Sequence, residues 1–380
     1  MAQQVLDIES LTADDLSALE ADGLRCSRLA EWSVEAGARE AASLANTAGG
    51  VVVVGPADGL TVEALLAAGD ALQPDIGLAL SARMLSTPGG EVGLIGVREC
   101  ADPPVLAGED GAIYRRGDGG AERVSTRAAL DELIAKRQRL RERAERVIDA
   151  QIERTAFGHH NYFSLMLVVT PLLAGSASRA WARENTRLLL ESPLARRWDL
   201  VADDVVDEGA VVELRHGDDE AGFILVAGNG TLAIGQRAHR PPLDHFQPAS
   251  ELAALLGEIA EVAHMLLADA DAGLVLPAFF LEGVRDLRLE GADGYGAPCS
   301  VDLQRTFLPP SFVTTEPERD ALAAEMGDVM GPLFGADLSS GTVSAYSGPV
   351  EEGPSPTTWH GRTTRTERRM AYQRGYGSAR

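Results

Sequence analysis

The hydrophobic pattern changes period several times along the chain. Residues 13–19 place Leu16 and Leu19 on one helical side after Thr12, a helix-capping residue followed by Asp14 and Asp15. Residues 24–32 are ambiguous and could hold a short strand. From Ser33, Ala41, Ala42, Leu44 and Ala45 give an apolar helical side, closed by Gly49-Gly50. Glycine tolerates the left-handed conformation that ends a helix, so Gly49 and Gly50 predict a stop. Val51 to Val54 follow without a polar residue, which predicts a strand covered on both faces. A helix is predicted over 61–72, strands over 76–84 and 91–97 around the turn Thr87-Pro-Gly-Gly90, and a strand over 112–116.

Ser125 or Thr126 then opens a long helix reaching about residue 154. Leu133, Leu140 and Val147 are seven apart, with Ala144 and Ile148 on the same stripe, while Arg139, Arg141, Glu142, Arg143 and Arg146 lie opposite. The stripe fits a solvated linker helix with a narrow apolar seam. It also fits self-association through residues 126–154.

A second set of elements follows. Strands are predicted over 162–169, 211–215, 222–227, 231–235, 274–280 and 284–289, and helices over 177–190 and 249–268. Asn229-Gly230 marks a hairpin. One more helix fits 318–334, and Gly, Ser, Thr and Pro dominate from 339 on. The fold class is therefore α+β: a domain over 1–135, a linker helix over 136–155, and a second α+β domain over 156–312. Residues 313–380 read as a mostly irregular tail, disordered toward its basic end.

Charge narrows the picture. The chain has 380 residues and a net charge of −23, and 33 of its 34 basic residues are arginine. Residues 1–135 hold 9 arginines against 22 acids, whereas 136–155 are +3 and 353–380 are +5. Such acidity argues against coating of nucleic acid by the whole surface. Cys26, Cys100 and Cys299 are far apart and form no zinc or disulfide pattern. We expect no bound metal, no cofactor, no membrane span and no signal peptide, hence a cytoplasmic protein.

Candidate chemistry is sparse. Gly49-Gly50 precedes a strand rather than following one, so it is not a phosphate loop. Asn46 and Thr47 are expected to cap the preceding helix. His159 and His160 read as a polar domain junction, His264 as exposed, and the acids Asp203, Asp204, Asp207 and Glu208 as a solvated loop. Arg115, Arg116, Arg123 and Arg127 surround a strand end and a glycine turn. With Lys136, Arg139 and Arg143 they would form a basic patch on an acidic domain, the footprint of a phosphate-backbone contact. Salt bridges to the many nearby acids are the competing reading.

Residues 10–135 resemble a known family. Ala41-Ala-Ser-Leu-Ala-Asn-Thr-Ala-Gly-Gly-Val-Val-Val-Val-Gly55 is similar to the core of the Schlafen AlbA-like DNA-binding domain. Asp58-Gly59, Gly89-Gly90 with Val92 to Val97, Pro103-Pro104-Val105, Ile113-Tyr-Arg-Arg-Gly117 and Ala128 to Leu133 resemble its later elements, in order. The family's Glu-Phe-Lys element corresponds to Glu31-Trp32-Ser33, without the lysine. Its Ser/Thr-rich turn corresponds to Asp118-Gly119-Gly120. The resemblance implies nucleic-acid binding in regulation, such as transcription control, carried by the basic residues named above. An acidic interaction or scaffold protein that has lost this ligand is the alternative. A metal-dependent RNase, as in some Schlafen proteins, is the third, with Glu31 and Glu35 as its only acids in place.

Overall fold

A computed structural model describes residues 8–20, 25–57, 59–73, 80–117, 120–155, 162–173, 180–185, 201–206, 209–216, 219–239, 246–270, 272–285, 288–291, 294–295, 299 and 303–334. The predicted tail beyond 334, Asp118, Asp207, Glu208, His159 and His160 lie outside these residues. The chain is mixed α+β and divides into two compact units, residues 1–142 and 143–380.

The first unit is organised by a strand–helix–strand crossover. Strand β1 (Cys26–Leu29) runs parallel to β2 (Gly50–Val54), and helix α2 (Val34–Thr47) connects them. The ambiguous stretch 24–32 thus contains a short strand, Cys26–Leu29. Helix α1 (Ala13–Glu20) precedes β1. Its start is reciprocal: Thr12 Oγ1 accepts from the Asp15 N–H at 3.3 Å, and Asp15 accepts from the Thr12 hydroxyl at 2.6 Å and its N–H at 2.9 Å. These bonds hold the Asp15 carboxyl below its usual range.

Ser33 caps α2 by accepting from the Ala36 N–H at 3.1 Å. At the other end Gly49 has φ 68°, and its N–H returns to Leu44 O at 2.8 Å. The two glycines also admit close backbone. A Cβ on Gly49 would lie 2.7 Å from Glu99 N, and one on Gly50 2.1 Å from Arg25 O.

Helix α3 (Val62–Leu66), followed by a 3₁₀ turn, replaces the longer helix expected over 61–72. Short strand β3 (Leu72–Gln73) comes next, then the hairpin of β4 (Leu80–Thr87) and β5 (Gly90–Val97). The first sheet has the order β1-β2-β5-β4. A smaller sheet has the order β3-β6-β7-β8, with β6 (Leu106–Ala107), β7 (Ala112–Gly117) and β8 (Gly120–Arg123).

Strand β2 is buried on both faces, as its four valines predict. Val52 and Val54 pack with Ala38, Ala41, Ala42, Leu44 and Ala45 of α2. Val51 and Val53 pack on the other side with Ile8, Leu16, Cys26, Val92 and Leu94. The alternation of a strand explains both cores with one sequence run.

Helix α4 (Arg127–Thr155) is continuous across the division of the chain. Thr126 caps it through the Ala129 N–H at 3.2 Å. Of the predicted seam, Leu133, Ala144 and Ile148 are buried, while Leu140 and Val147 are half-buried.

The second unit is built on a seven-stranded antiparallel sheet. Its strands are β9 (Tyr162–Pro171), β10 (Val201–Val206), β11 (Gly209–His216), β12 (Asp219–Ala227), β13 (Leu232–His239), β15 (Val275–Glu282) and β18 (Leu303–Phe307). Their order is β10-β11-β12-β13-β9-β15-β18. A small sheet joins β14 (Phe246–Pro248), β16 (Arg288–Gly291) and β17 (Gly294–Tyr295). Asp203 and Asp204 belong to β10, not to a loop.

One sheet face, with Leu165, Leu167, Ile224, Ile234 and Phe279, packs on α5 (Ala249–Asp269) and α6 (Glu316–Phe334). The opposite face carries Met166, Val168, Ala278 and Phe280, also buried. Arg305 sits in register with Phe280 on that side and pairs with Asp149 of α4. Arg143 of α4 donates to Leu172 O at 2.6 Å. These contacts tie the C-terminal part of α4 to β18 and to the residue after β9.

The domain end read at 312 is too early. Leu322, Met326, Met330 and Phe334 of α6 are fully buried in the second core. The mixture of Ala, Gly and Met in 318–334 hid a core helix. His264, expected to be exposed, is half-buried and its Nδ1–H donates to Val313 O at 3.1 Å.

Two acids of α6 respond oppositely to their surroundings. Partial burial opposes charge on Glu318, but the Thr314 and Thr315 groups that donate to it at 2.8–3.0 Å outweigh that and lower its carboxyl. Glu325 has a buried oxygen without a hydrogen-bond partner, and burial, then Asp328, pushes its carboxyl up from the ordinary 4.5. A raised carboxyl means the folded state favours the proton. Its contribution is present below the ordinary value and lost as pH rises through the raised one. We expect Glu325→Gln to stabilise the second unit slightly at neutral pH and not below pH ~4. Melting curves at the two pH values check this.

Candidate functional site

The basic residues near β7 and the start of α4 are the natural place to look for a ligand site. The structure distributes them among acids one by one.

Arg116 is the most deeply placed. It leaves β7 and turns inward, with its side chain 5% exposed. Nη1 donates to Glu40 Oε2 at 2.7 Å, and Nη2 donates to Cys26 O of β1. Ser27 donates its hydroxyl to the same Glu40 oxygen at 2.7 Å. Arg39 stands 3.8 Å from the other Glu40 oxygen. This network closes β1, α2 and β7 against one another inside the unit. An ion pair this dry needs its polar atoms satisfied: Glu40 Oε2 accepts from Arg116 and Ser27, while the Arg39 guanidinium stands beside Oε1 at ion-pair distance.

Lys136 is also committed. Its ammonium donates to Thr47 O at 2.6 Å and Asn46 O at 3.1 Å, and pairs with Glu99 at 2.7 Å. It therefore caps the C-terminus of α2, where the helix dipole favours a cation. Nearby, burial pushes the Cys100 thiol up, which makes it a poor nucleophile.

The expected capping by Asn46 and Thr47 is corrected by the same geometry. Asn46 Nδ2 donates to Val105 O at 2.9 Å and Tyr114 O at 2.7 Å, while its Oδ1 accepts from the Val105 N–H at 2.7 Å. The side chain ties the segment before β6 and strand β7 to α2. Thr47 accepts from the Arg116 N–H at 3.0 Å and donates to Ser43 O at 2.9 Å.

The remaining candidates are at the surface. Arg115 pairs with Glu132 at 3.0 Å, Arg123 with Asp110 at 3.2 Å, and Arg127 with Asp131 at 3.7 Å. Arg137, which the sequence did not single out, pairs with Asp102. Such exposed pairs stabilise little, but each cancels a charge that phosphate would need. Arg139 and Arg143 are exposed on α4. Arg143 is engaged by the Leu172 carbonyl, and Arg139 forms no ion pair among the described residues.

Glu31 and Glu35 are exposed at the entry to α2. Glu35 lies in the first helical turn, where a carboxylate complements the dipole. Among the described residues, no three His, Cys, Asp or Glu side chains gather as metal ligands would. No described helix is long and apolar enough to cross a membrane.

Glu40 is the functional-looking residue that the sequence reading passed over. Its signal is faint but real. Glu40, Ser43 and Thr47 are three and four apart, a polar stripe along a helix otherwise rich in alanine. A buried polar stripe demands partners, and Arg116 and Ser27 supply them. No family model, no curated protein and no solved structure matches this chain.

Proposed function

We propose that this chain is a non-catalytic, acidic protein-interaction or scaffold protein. Its first unit would have an AlbA-like fold whose phosphate-contacting cations are each paired with a carboxylate of the same chain. One observation carries the reading: Arg115, Arg116, Arg123, Arg127 and Lys136 each stand within 4 Å of a carboxylate. The net charge of −23 supports it, because a polyanion would meet repulsion, and among the described residues named above only Arg139 stands outside an ion pair in this unit. A cytoplasmic location belongs to the same proposal.

Titration of labelled single-stranded RNA and double-stranded DNA with the full chain tests it. At roughly 50 mM salt we expect no saturable binding below about 100 µM. Tighter binding that weakens steeply with salt would return the chain to the nucleic-acid reading. Arg139 is the observation that favours that second reading, since it is exposed and outside any ion pair among the described residues. Should binding occur, Arg139→Ala is expected to reduce the salt slope by about one.

A further inference from the structure

Among the described residues, three large apolar side chains stand exposed, and two of them lie on helices that touch each other. These are Val34 of α2, 41% exposed, and Leu66 of α3, 39% exposed. Val34 is not a stray surface residue. It belongs to the core-facing stripe of α2, spaced by four, three and four from Ala38, Ala41 and Ala45, all fully buried. The apolar stripe therefore continues one turn beyond the core that covers it.

The ground beside Val34 is apolar as well. Trp32 packs against the same core while half-buried, as do Leu29 and Leu60. Its ring lies over Gly37, where a Cβ would come within 2.3 Å of the ring and 3.2 Å of the Ala68 Cβ. A glycine inside a helix costs about 1 kcal/mol relative to alanine, and here it seats the indole between α2 and the turn after α3. The Trp32 ring thus links the first turns of α2, which Val34 opens, to the turn that follows Leu66 at the end of α3.

Exposed acids flank these apolar positions along the chain. Glu31, Glu35, Glu63 and Asp70 are exposed on the same segments. Glu35 and Glu63 sit in first helical turns, and Glu63 accepts from its own backbone and from Thr61. Glu31 and Asp70 make no ion pair among the described residues. The neighbouring cations are turned elsewhere, Arg28 to Glu20 and Arg39 to Glu40.

We propose that this acid-rimmed apolar patch docks a basic amphipathic peptide segment of a partner protein. The inference rests on the interaction reading above and names the chemistry of its partner. Charge complementarity selects the occupant. A second copy of the chain would bring the same acids against themselves through a two-fold axis. A polyanion would be repelled. A segment with leucine or an aromatic on one side and lysine or arginine on the other matches both the uncovered apolar positions and the rim. A patch of this kind supports micromolar affinity rather than a permanent complex.

The test titrates the full chain into a fluorescein-labelled helical peptide of about 18 residues, with leucine on one face and lysine on the other. One control peptide replaces every lysine by glutamate, and a second replaces every leucine by serine. We expect the basic amphipathic peptide to bind at least about tenfold tighter than either control, and to weaken with salt. Val34→Ser with Leu66→Ser, and separately Glu31→Lys with Asp70→Lys, should each weaken binding about tenfold or more. All four positions are exposed, so unchanged melting curves should accompany the loss.

Three results would overturn the proposal: no binding at about 100 µM, equal binding of the acidic control, or affinity unchanged in both double variants. Failure here, with the nucleic-acid titration also negative, removes this patch and leaves the broader interaction reading standing. Saturable nucleic-acid binding would instead remove that broader reading.

Discussion

Replacing Arg116 by alanine is expected to destabilise the first unit by about 3–5 kcal/mol, one of the largest effects open to a single substitution here. The cost does not come from losing an attraction that could be read off a distance. It comes from leaving the Glu40 carboxylate, 8% exposed, with only the exposed Arg39 beside it at 3.8 Å. The Cys26 carbonyl on β1 loses a donor at the same time. Glu40→Leu with Arg116→Met should recover most of the loss, because a well-packed apolar pair replaces a dry ionic one at little cost. Urea unfolding of the single and double variants measures both. A loss below about 1 kcal/mol in Arg116→Ala would mean that water or another cation reaches Glu40.

Asn46→Ala is expected to cost about 3 kcal/mol. Three hydrogen bonds between 2.7 and 2.9 Å disappear. The Val105 N–H and O are then left without their side-chain partner, and an unmet buried donor is costlier than the bond was worth. Asn46→Asp should also destabilise, because a carboxylate would face the Val105 and Tyr114 carbonyls that now accept hydrogen bonds. That loss should shrink at low pH as the carboxyl takes up a proton and can donate one bond. Equilibrium unfolding at neutral and acidic pH separates the two variants. An Asn46→Ala protein as stable as the parent would contradict the bridging role.

Much of the fold was legible because it rests on local rules. The valine run of β2 announced a strand buried on both faces, and Gly49 announced a left-handed helix end, confirmed at φ 68°. The hairpin at Thr87–Gly90 followed from its turn residues. Helix α6 was less legible, since Gly327, Gly331 and Pro332 blur its apolar stripe, and its burial depends on a sheet assembled from distant segments. Parallel pairing of β1 with β2 was likewise invisible in a four-residue strand that carries Ser27 and Arg28.

The candidate site was legible in residue type and illegible in partnership. The sequence shows arginines next to a glycine turn, but Glu40 is 76 positions from Arg116 and Glu99 is 37 from Lys136. A phosphate contact and an internal ion pair require the same cation, so composition alone does not separate them. The fold decides by bringing acids from distant segments to these cations, Glu40 of α2 to Arg116 and Glu99 to Lys136.

The most direct measurement compares the salt dependence of RNA binding for the wild-type chain and for a variant with its surface carboxylates removed. That variant is Asp110→Asn, Asp131→Asn and Glu132→Gln, which frees Arg123, Arg127 and Arg115. If pairing with neighbouring carboxylates is what silences these cations, the wild type shows no saturable binding. The variant gains weak binding whose logarithm falls with log salt at a slope of about −2 to −3. Salt-dependent binding already present in the wild type, and unchanged in the variant, would contradict the account.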